Sequence, residues 1–584
     1  MVRDTMASGK SKRRGKSLAY NLKRIVNFVG LFARNTRGIL GLIIIGIFVA
    51  IALFPWAFTP YDAVNDRQLS GFFGAPTWLK SLPTWLGGRP NLTENYFPMV
   101  NSGFQYSNLT GWNWTQSDPV HTSVRYEDSV LDHNGILHIN FSRDAGVTYG
   151  NVTTTVYQTF YFPYSGPPFS FHGQIVLLIN GTITNTTKTI SYPNFTDPLQ
   201  WPRPKVNITA NELDVPIKVT MYFESLDANA SYPLWPLRKY YLYTPRGMEG
   251  MALDGTIMNS TSVVVNSSGV FVSTGGVGEW IDSSKSYEPI DSWARIIATM
   301  VGETHSAQKL TAQVFFPPEA TPGSYRVGVE VTFVDTNATK PVTAEVYLDT
   351  LDMTFKGTSW GIMGADHEGR DLWSQLIYGT RISLYVGVLS TTLAVVIGLV
   401  VGLMAGYLGR VVDEFLMRVC DVLLVLPGLP LLIVLVAVLG TSIDNLIILL
   451  GALGWMGFAR VVRSQVISLR ERPFIEAAKA VGAGKTHIMF RHILPNVMSL
   501  VYVTLATTVP GNIVAEASLG FLGFTDPNRM SWGLMLNEMA ANTAYQNWWW
   551  VLPPGLCIAL IAIAFILFGY ALDEVLNPRL RLRR

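Results

Sequence analysis

Charged residues vanish from six stretches of this chain: Gly38–Phe58, Ile382–Leu408, Val422–Ile443, Asn445–Ala459, Asn496–Ala515 and Asn547–Leu572. A helix rising about 1.5 Å per residue needs roughly 20 apolar residues to cross a bilayer core. All but the fourth approach or exceed that length, and the fourth must borrow a turn from its neighbours. Residues 59–359 read differently. Alternating or β-branched runs recur at Ile136–Phe141, Thr153–Phe162, Ile175–Thr184, Val215–Phe223, Ser262–Val272, Leu310–Phe316, Ser324–Val334 and Ala344–Phe355, punctuated by Gly, Pro, Asn and Asp. The pattern predicts an α-helical polytopic membrane protein with six transmembrane helices. It also predicts an all-β domain, sandwich- or jelly-roll-like, between the first two helices. The expected segments are 1–37, a first span at 38–58, the β-rich domain at 59–359 and the membrane domain at 360–584. The 21-residue first run leaves through Pro55-Trp56-Ala57-Phe58, which argues against a cleaved signal peptide.

Charge orients this arrangement. Residues 1–37 hold ten Lys/Arg and one acid, 59–359 hold 18 basic and 26 acidic groups, and the loop 460–495 holds seven basic and two acidic. Basic flanks favour the cytoplasmic side. That places 1–37, 409–421, 460–495 and the tail ending Arg583-Arg584 inside, and 59–381 and 516–546 outside. Both termini are then cytoplasmic, as six crossings require. The basic run Lys10–Lys16 beside a span sets topology and meets anionic lipid rather than nucleic acid. The two cysteines, Cys420 and Cys557, lie at or in membrane runs, so the outer segment has no disulfide framework and needs its own core.

Thirteen Asn-x-Ser/Thr sequons begin at Asn91, Asn108, Asn113, Asn140, Asn151, Asn180, Asn185, Asn194, Asn207, Asn229, Asn259, Asn266 and Asn337, all inside 59–359. Asn and Thr are common on β surfaces, which explains part of the enrichment. Their absence elsewhere agrees with the charge topology and supports exposure to a glycosylation machinery. Together with the large polar outer segment they suggest an archaeal source.

The basic stretch 476–495 contains Gly484-Lys485-Thr486. A phosphate-binding loop would need glycine where Lys479 stands, and a strand where Phe474–Val481 reads as helix. A helix–turn–helix fits better: Pro473 in a first turn, Gly482 or Gly484 at a left-handed end, Thr486 capping the next helix, and Pro495 near the start of the fifth span. An amphipathic loop resting on its own bundle is the plain alternative.

Glu476-Ala477-Ala478-x3-Gly482 followed by Leu494-Pro495 resembles the "EAA" loop of ABC-importer permeases. The resemblance extends through Gly364-Ala365-Asp366-x2-Gly369-Arg370-Asp371, Ile377-Tyr378-Gly379-x-Arg381-Ile382-Ser383-Leu384, Val412-Asp413-Glu414-x2-Met417-Arg418-x2-Asp421-Val422, Ala515-Glu516-Ala517-Ser518-Leu519-x-Phe521-Leu522-Gly523, Ser531-Trp532-Gly533 and residues 33–62. It implies the C-type membrane subunit of a dipeptide/oligopeptide importer with a type I permease fold. The implied partners are a homologous B-type permease, two ATPase subunits that bind ATP and Mg, and an extracellular solute-binding protein. The chain itself would then be no enzyme and would hold no cofactor. Glu476, Ala477, Ala478, Gly482, Leu494 and Pro495 would form the coupling loop. The outer insertion of about 300 residues departs from the family, whose usual linker is a few tens of residues. Oligosaccharide is the alternative cargo. A membrane-anchored glycan-binding surface protein is the competing class, and a surface glycosidase a third.

Other constellations favour plainer readings. Asp366-His367-Glu368 with Asp371 fits an interfacial helix with a wet face better than a metal site, because neighbouring helical residues point apart. Glu516 reads first as the outer end of the fifth span, and second as a residue that closes the external end. Trp548-Trp549-Trp550 reads as an interfacial anchor. The start of the β region, Asn101-x-Gly103-Phe104-x4-Leu109-x-Gly111-Trp112, faintly resembles carbohydrate-binding modules of galactose-binding-like fold.

Overall fold

The computed structural model describes residues 35–193 apart from 68, 108 and 131–132, then 205–233, short strands between 256 and 282, Phe316, 322–335 and 339–576. The expected strand Leu310–Phe316 and sequons Asn108, Asn194 and Asn337 fall outside the described residues, Phe316 excepted. The chain divides into two compact units, one holding the residues up to Gln68 and from Asp366 onward, the other Leu69–Ala365.

The first unit is helical: α1 (Thr36–Leu53), α2 (Leu372–Leu408), α3 (Arg410–Val425), α4 (Gly428–Leu439), α5 (Ile443–Gly454), α6 (Met456–Arg470), α7 (Pro473–Ala480), α8 (Lys485–Ile488), α9 (Leu494–Phe521), α10 (Trp532–Ala541) and α11 (Trp548–Leu576). Among the described residues, four helical stretches are long and apolar enough to cross a membrane: Thr36–Leu53, Leu372–Leu408, Lys485–Phe521 and Trp548–Leu576. Two bent pairs, α3 with α4 at 90° and α5 with α6 at 41°, raise the number to six if each pair is one span.

Three boundaries correct the sequence reading. The first helix stops at Leu53 instead of Phe58, because Pro55 has no N–H to continue it, and a single 3-10 turn follows at Pro55–Ala57. The expected third run, Val422–Ile443, straddles the sharp break before Gly428, where Pro427 is extended. The expected fourth, Asn445–Ala459, crosses the α5–α6 bend.

Glycines set how closely these helices meet. A Cβ added to Gly402 would lie 2.6 Å from the Ala459 carbonyl oxygen and 2.6 Å from Val462 Cβ. At Gly398 it would lie 2.8 Å from the Trp455 carbonyl oxygen, and at Gly406 2.7 Å from Val466 Cβ. One ridge of α2 therefore seats α6 at backbone distance, as small residues allow. Charge holds α3 on the same helix: Arg463 pairs with Asp413, its Nη2 2.7 Å from Oδ2, and Arg460 pairs with Asp421. Outside this group, α1 lies along α11, where a Cβ on Gly41 would stand 2.5 Å from the Ala564 carbonyl oxygen. Asn35 Nδ2 donates to Glu574 there at 2.8 Å.

The second unit is built from β1 (Asn113–Gln116), β2 (Thr122–Val130), β3 (His133–Arg143), β4 (Gly150–Phe162), β5 (Ser170–Gly181), β6 (Ile183–Pro193), β7 (Lys205–Ser225), β8 (Ala230–Pro233), β9 (Thr256–Ser260), β10 (Val263–Asn266), β11 (Gly269–Val272), β12 (Trp280–Asp282), β13 (Gly323–Asp335) and β14 (Val342–Lys356). One antiparallel sheet runs β1-β4-β13-β7-β6, with β8 and β9 also on β7, and a second runs β12-β5-β14-β3-β2. The expected strand Ser262–Val272 is instead the hairpin β10–β11, Val263 facing Val272. Period-two patterning fills the core: Tyr325, Val327, Val329, Val331 and Phe333 of β13 are fully buried. Side chains of both sheets meet there, Phe141 stacking on Phe333 at 5.4 Å and Phe160 approaching Phe355 at 5.6 Å. The fold thus provides the self-sufficient core that the lack of cysteines demands.

The ends of this unit run side by side. Ala75 and Ser359 form a parallel bridge, Ala75 N donates to Thr358 O at 2.9 Å, and Trp360 N donates to Ala75 O at 2.8 Å.

Candidate functional site

The loop 460–495 is folded, and its turn is set by one glycine. Pro473 occupies the first turn of α7, where its missing N–H is harmless. The helix ends in a pair of backbone bonds, Ala483 N to Ala478 O at 3.0 Å and Gly482 N to Lys479 O at 2.9 Å. This is the Schellman arrangement, which needs a left-handed residue, and Gly482 supplies it at φ +86°. Gly484 is extended and sits before α8 without a side-chain cap, so the expected cap by Thr486 is replaced by a helix that starts at Lys485, two residues before the start such a cap would give. A five-residue π-helical turn, Met489–Ile493, carries the chain into α9.

Burial divides the loop into two faces. Ile475, Ile488 and Ile493 are buried in a cluster with Val462, Val466 and Val497, and Ala478, Ala483 and Leu494 lie against it. Glu476, Ala477, Lys479, Gly482 and Pro495 are exposed, together with three apolar side chains: Phe474 at 43%, Phe490 at 59% and Val481 at 90%. The loop rests on its own bundle through one face and leaves a mixed apolar and charged face open. The plain alternative of the sequence reading, a loop resting on its own bundle, describes the buried face.

Glu516 is not at an exposed helix end. Helix α9 continues to Phe521, and Glu516 is fully buried, which corrects the first reading of this residue. Ser383 Oγ of α2 donates to Glu516 Oε2 at 2.9 Å, and Trp532 N at the start of α10 donates to Ser383 Oγ at 3.4 Å. The N-terminus of α10 thereby adds its partial positive charge to the hydroxyl that serves the carboxylate. Packing seals the joint. Trp532 is fully buried, gives its Nε1 hydrogen to Leu376 O at 3.2 Å, and lies where a Cβ on Gly379 would be 3.0 Å from its ring. A Cβ on Gly520 would be 2.9 Å from Gly533 Cα. Helices α2, α9 and α10 thus converge on one buried carboxylate.

A second polar knot precedes α2. Residues 366–370 form a turn rather than the expected interfacial helix, and Asp366 is completely buried. Its carboxylate accepts from Arg370 Nε at 2.7 Å and from Gln375 Nε2 at 2.6 Å, while Arg370 Nη2 donates to Glu538 Oε2 at 2.7 Å. Burial pushes the Glu538 carboxyl up, and the Arg370 guanidinium works against that rise. Burial also opposes the charge of Arg370, yet Asp366 and Glu538 hold it above its ordinary value. Asp366, His367 and Glu538 bring potential ligand atoms within 4.8 Å of one another. Arg370 already engages both carboxylates, so this is an ion-pair network and a poor match to a cation's needs.

Of the three tryptophans at 548–550, only Trp548 is exposed, at 48%; Trp549 and Trp550 are buried. At most one of them can act as the expected anchor. Among the sequons, Asn91, Asn113, Asn151, Asn180 and Asn229 are exposed and Asn140 is half-buried, while the side chains of Asn185, Asn207, Asn259 and Asn266 lie outside the described residues.

Glu516, Trp532 and Glu538 of these joints lie in a segment that matches a known family, and Ser383, Asp366 and Arg370 precede it. Residues 398–582 match the family described as binding-protein-dependent transport system inner membrane component. The dipeptide transport permease DppC of Bacillus subtilis is 37% identical over 219 residues, covering 37% of this chain and 68% of that protein. The glutathione transport permease GsiD of Pectobacterium atrosepticum is 36% identical over 242 residues, covering 41% and 80%. The oligopeptide transport permease OppC of Haemophilus influenzae is 36% identical over 240 residues, covering 39% and 76%. This chain belongs to that permease family. It is an integral membrane protein and a permease subunit of an ABC importer. In this permease the relatives account for roughly two fifths of the chain, and the second unit is largely extra to them. Sequence reasoning named Glu516, Ser383, Trp532 and Gly533 within the family motifs but did not join them, since nothing in a linear pattern brings residues 383, 516 and 532 together.

Proposed function

We propose that this permease forms half of a translocation path for di- and oligopeptides. It does so as a C-type subunit beside a homologous B-type subunit, with two ATPase subunits inside and a solute-binding protein outside. The cargo rests on the dipeptide and oligopeptide relatives. The single observation that carries the coupling role is the open face of α7: Glu476 and Ala477 are exposed beside Val481 on a helix whose other side is locked into the bundle. A short helix with an apolar and acidic face offers a partner both packing and an ion pair. ATP and Mg then belong to the partner subunits. Each bent helix pair counts as one span, which gives six crossings with both termini cytoplasmic, in agreement with the basic flanks. The two sheets of the second unit form a sandwich outside the cell, where its sequons become glycosylation acceptors. It holds the solute-binding protein. The joint at Glu516 closes the outer end of the path.

Cysteines placed singly at Ala477 and Val481 test the reading in the assembled transporter. Cross-links to the ATPase subunits are expected from both, with a label at Asn229 accessible only from outside. Cross-links that fail at both positions, or a label at Asn229 reached only from inside, would defeat it. The cognate binding protein should retain peptides, and retention of oligosaccharides in their place would reassign the cargo.

A further inference from the structure

One exposed apolar feature of the second unit has no role in that scheme. Residues 77–89 form a closed loop of two 3-10 turns, Thr77–Lys80 and Thr84–Leu86. Its neck is fastened by Arg89 N to Leu79 O at 2.9 Å, and its tip by Gly87 N to Thr84 O and Gly88 N to Pro83 O, both 3.0 Å. Gly87 takes the left-handed conformation at φ +83°, and a Cβ on Gly88 would fall 1.8 Å from the Leu82 oxygen. Both glycines are therefore needed for the shape. The loop is built to hold a fixed form, and what it presents is apolar: Trp85 is 80% exposed and Leu86 54%. Trp78, in the first turn of the loop, and Ile362 are exposed as well, at 37% and 59%, joined by Trp78 Nε1 donating to Ile362 O at 2.8 Å. A rigid turn spending two large apolar side chains on water is costly unless something covers them.

We propose that this loop is an interfacial foot, seated in the headgroup region of the outer lipid leaflet. Three observations select lipid. The first is continuity with the membrane boundary along the chain: Ile362 precedes the first residue of α2, Leu372, by ten residues, and Ala365 is already paired with Gly74. The outer limit of the membrane helices is marked within their own unit by Trp373 Nε1 bonded to Phe58 O at 3.1 Å and by the exposed Trp56, at 70%. Ten residues of chain reach at most about 35 Å. The second is charge. The loop 77–89 contains no acid and two basic residues, Lys80 and Arg89, inside a region with 18 basic and 26 acidic groups; Glu94, beyond the loop, pairs with Lys80 at 3.7 Å. Acids are missing where anionic phosphates would repel them. The third is chemistry: indoles on a rigid turn, flanked by Lys and Arg, match the amphipathic interface better than water or hydrocarbon.

The test uses the whole transporter in bilayer discs of zwitterionic and anionic lipid. Spin labels are placed in turn at Trp85→Cys, Leu86→Cys and Val120→Cys, the last being a highly exposed position in the same unit. Cys557 is replaced, and Cys420 is buried. Collision rates with oxygen, which concentrates in lipid, are compared with those of a water-soluble nickel chelate. The proposal expects an oxygen-to-nickel ratio several-fold higher at 85 and 86 than at 120. Nickel access at 85 and 86 equal to that at 120 would overturn it. So would labels at 85 and 86 shielded from both reagents, because the loop would then be covered by protein.

Discussion

Ser383 and Glu516 are 133 residues apart in sequence and 2.9 Å apart in space, the hydroxyl donating to the carboxylate inside a fully buried joint. A Glu516→Gln variant keeps a carbonyl oxygen for Ser383, whereas Glu516→Leu leaves that hydroxyl without its acceptor. Losing a buried partner costs about 1–3 kcal/mol. The leucine variant should melt several degrees below the wild type in detergent and transport poorly, with glutamine close to normal. Equal melting of the two variants would remove the hydrogen bond from the explanation.

Gly482 makes a sharper test, because a Cβ there would meet nothing within 4 Å while its φ is +86°. Any effect of a side chain must come through the backbone. Gly482→Val should cost about 1–2 kcal/mol locally, loosen the turn that presents α7, and lower transport while the protein still inserts in the membrane. Gly484→Val is the control, since φ there is −69° and a Cβ also meets nothing. Normal ATP-driven uptake by Gly482→Val would count against the loop's coupling role.

The ridge on α2 gives a prediction about assembly. Gly402→Leu must push α6 away from a contact that a single Cβ would already violate at 2.6 Å. Overpacking of this kind costs about 1–3 kcal/mol. Purified yield and melting temperature should fall. Gly457→Leu on α6, where a Cβ meets nothing within 4 Å, should change neither. Identical behaviour of the two variants would mean the helices are not held at backbone distance.

Within the second unit, Arg143 and Asp335 make a buried, two-pronged ion pair: Nε to Oδ2 at 2.7 Å and Nη2 to Oδ1 at 2.8 Å. Arg143 Nη1 also donates to Lys340 O at 2.8 Å, and Tyr149 N donates to Asp335 Oδ2 at 3.0 Å. The pair ties the end of β3 in one sheet to the end of β13 in the other. Asp335→Ala should destabilise this unit by about 3–5 kcal/mol by stranding a guanidinium, seen as early protease cleavage within 69–365 of the full chain. Arg143→Met with Asp335→Leu should recover much of the loss. A double variant as fragile as the single one would mean that shape, not charge, dominates there.

The apolar runs located the membrane helices, and the alternation in residues such as 325–333 located the central strands, because each depends on local periodicity. What escaped the sequence depended on geometry between distant residues. Pro427 was visible, but the 90° turn beside it was not. Trp549 and Trp550 share composition with Trp548, yet bundle packing buries two of the three. Asp366 looked like a surface acid until Arg370, Gln375 and Glu538 surrounded it. The left-handed Gly482 was legible as one of two choices, since both glycines end the same helical pattern. The backbone separates them: Gly482 is left-handed and Ala483 N bonds to Ala478 O, while Gly484 is extended.

The fit of Gly41 against Ala564 has a consequence for how the protein is made. More than five hundred residues separate the two, so at ~5–20 residues per second the ribosome takes roughly half a minute to two minutes to supply the partner. Over that interval α1 has none of α11 to lean on, while the whole second unit is being synthesised. An 18-residue helix without a charged residue after Arg37 can wait in lipid alone. Its glycine contact can therefore form only once Trp548–Leu576 has been made, after every strand of the second unit.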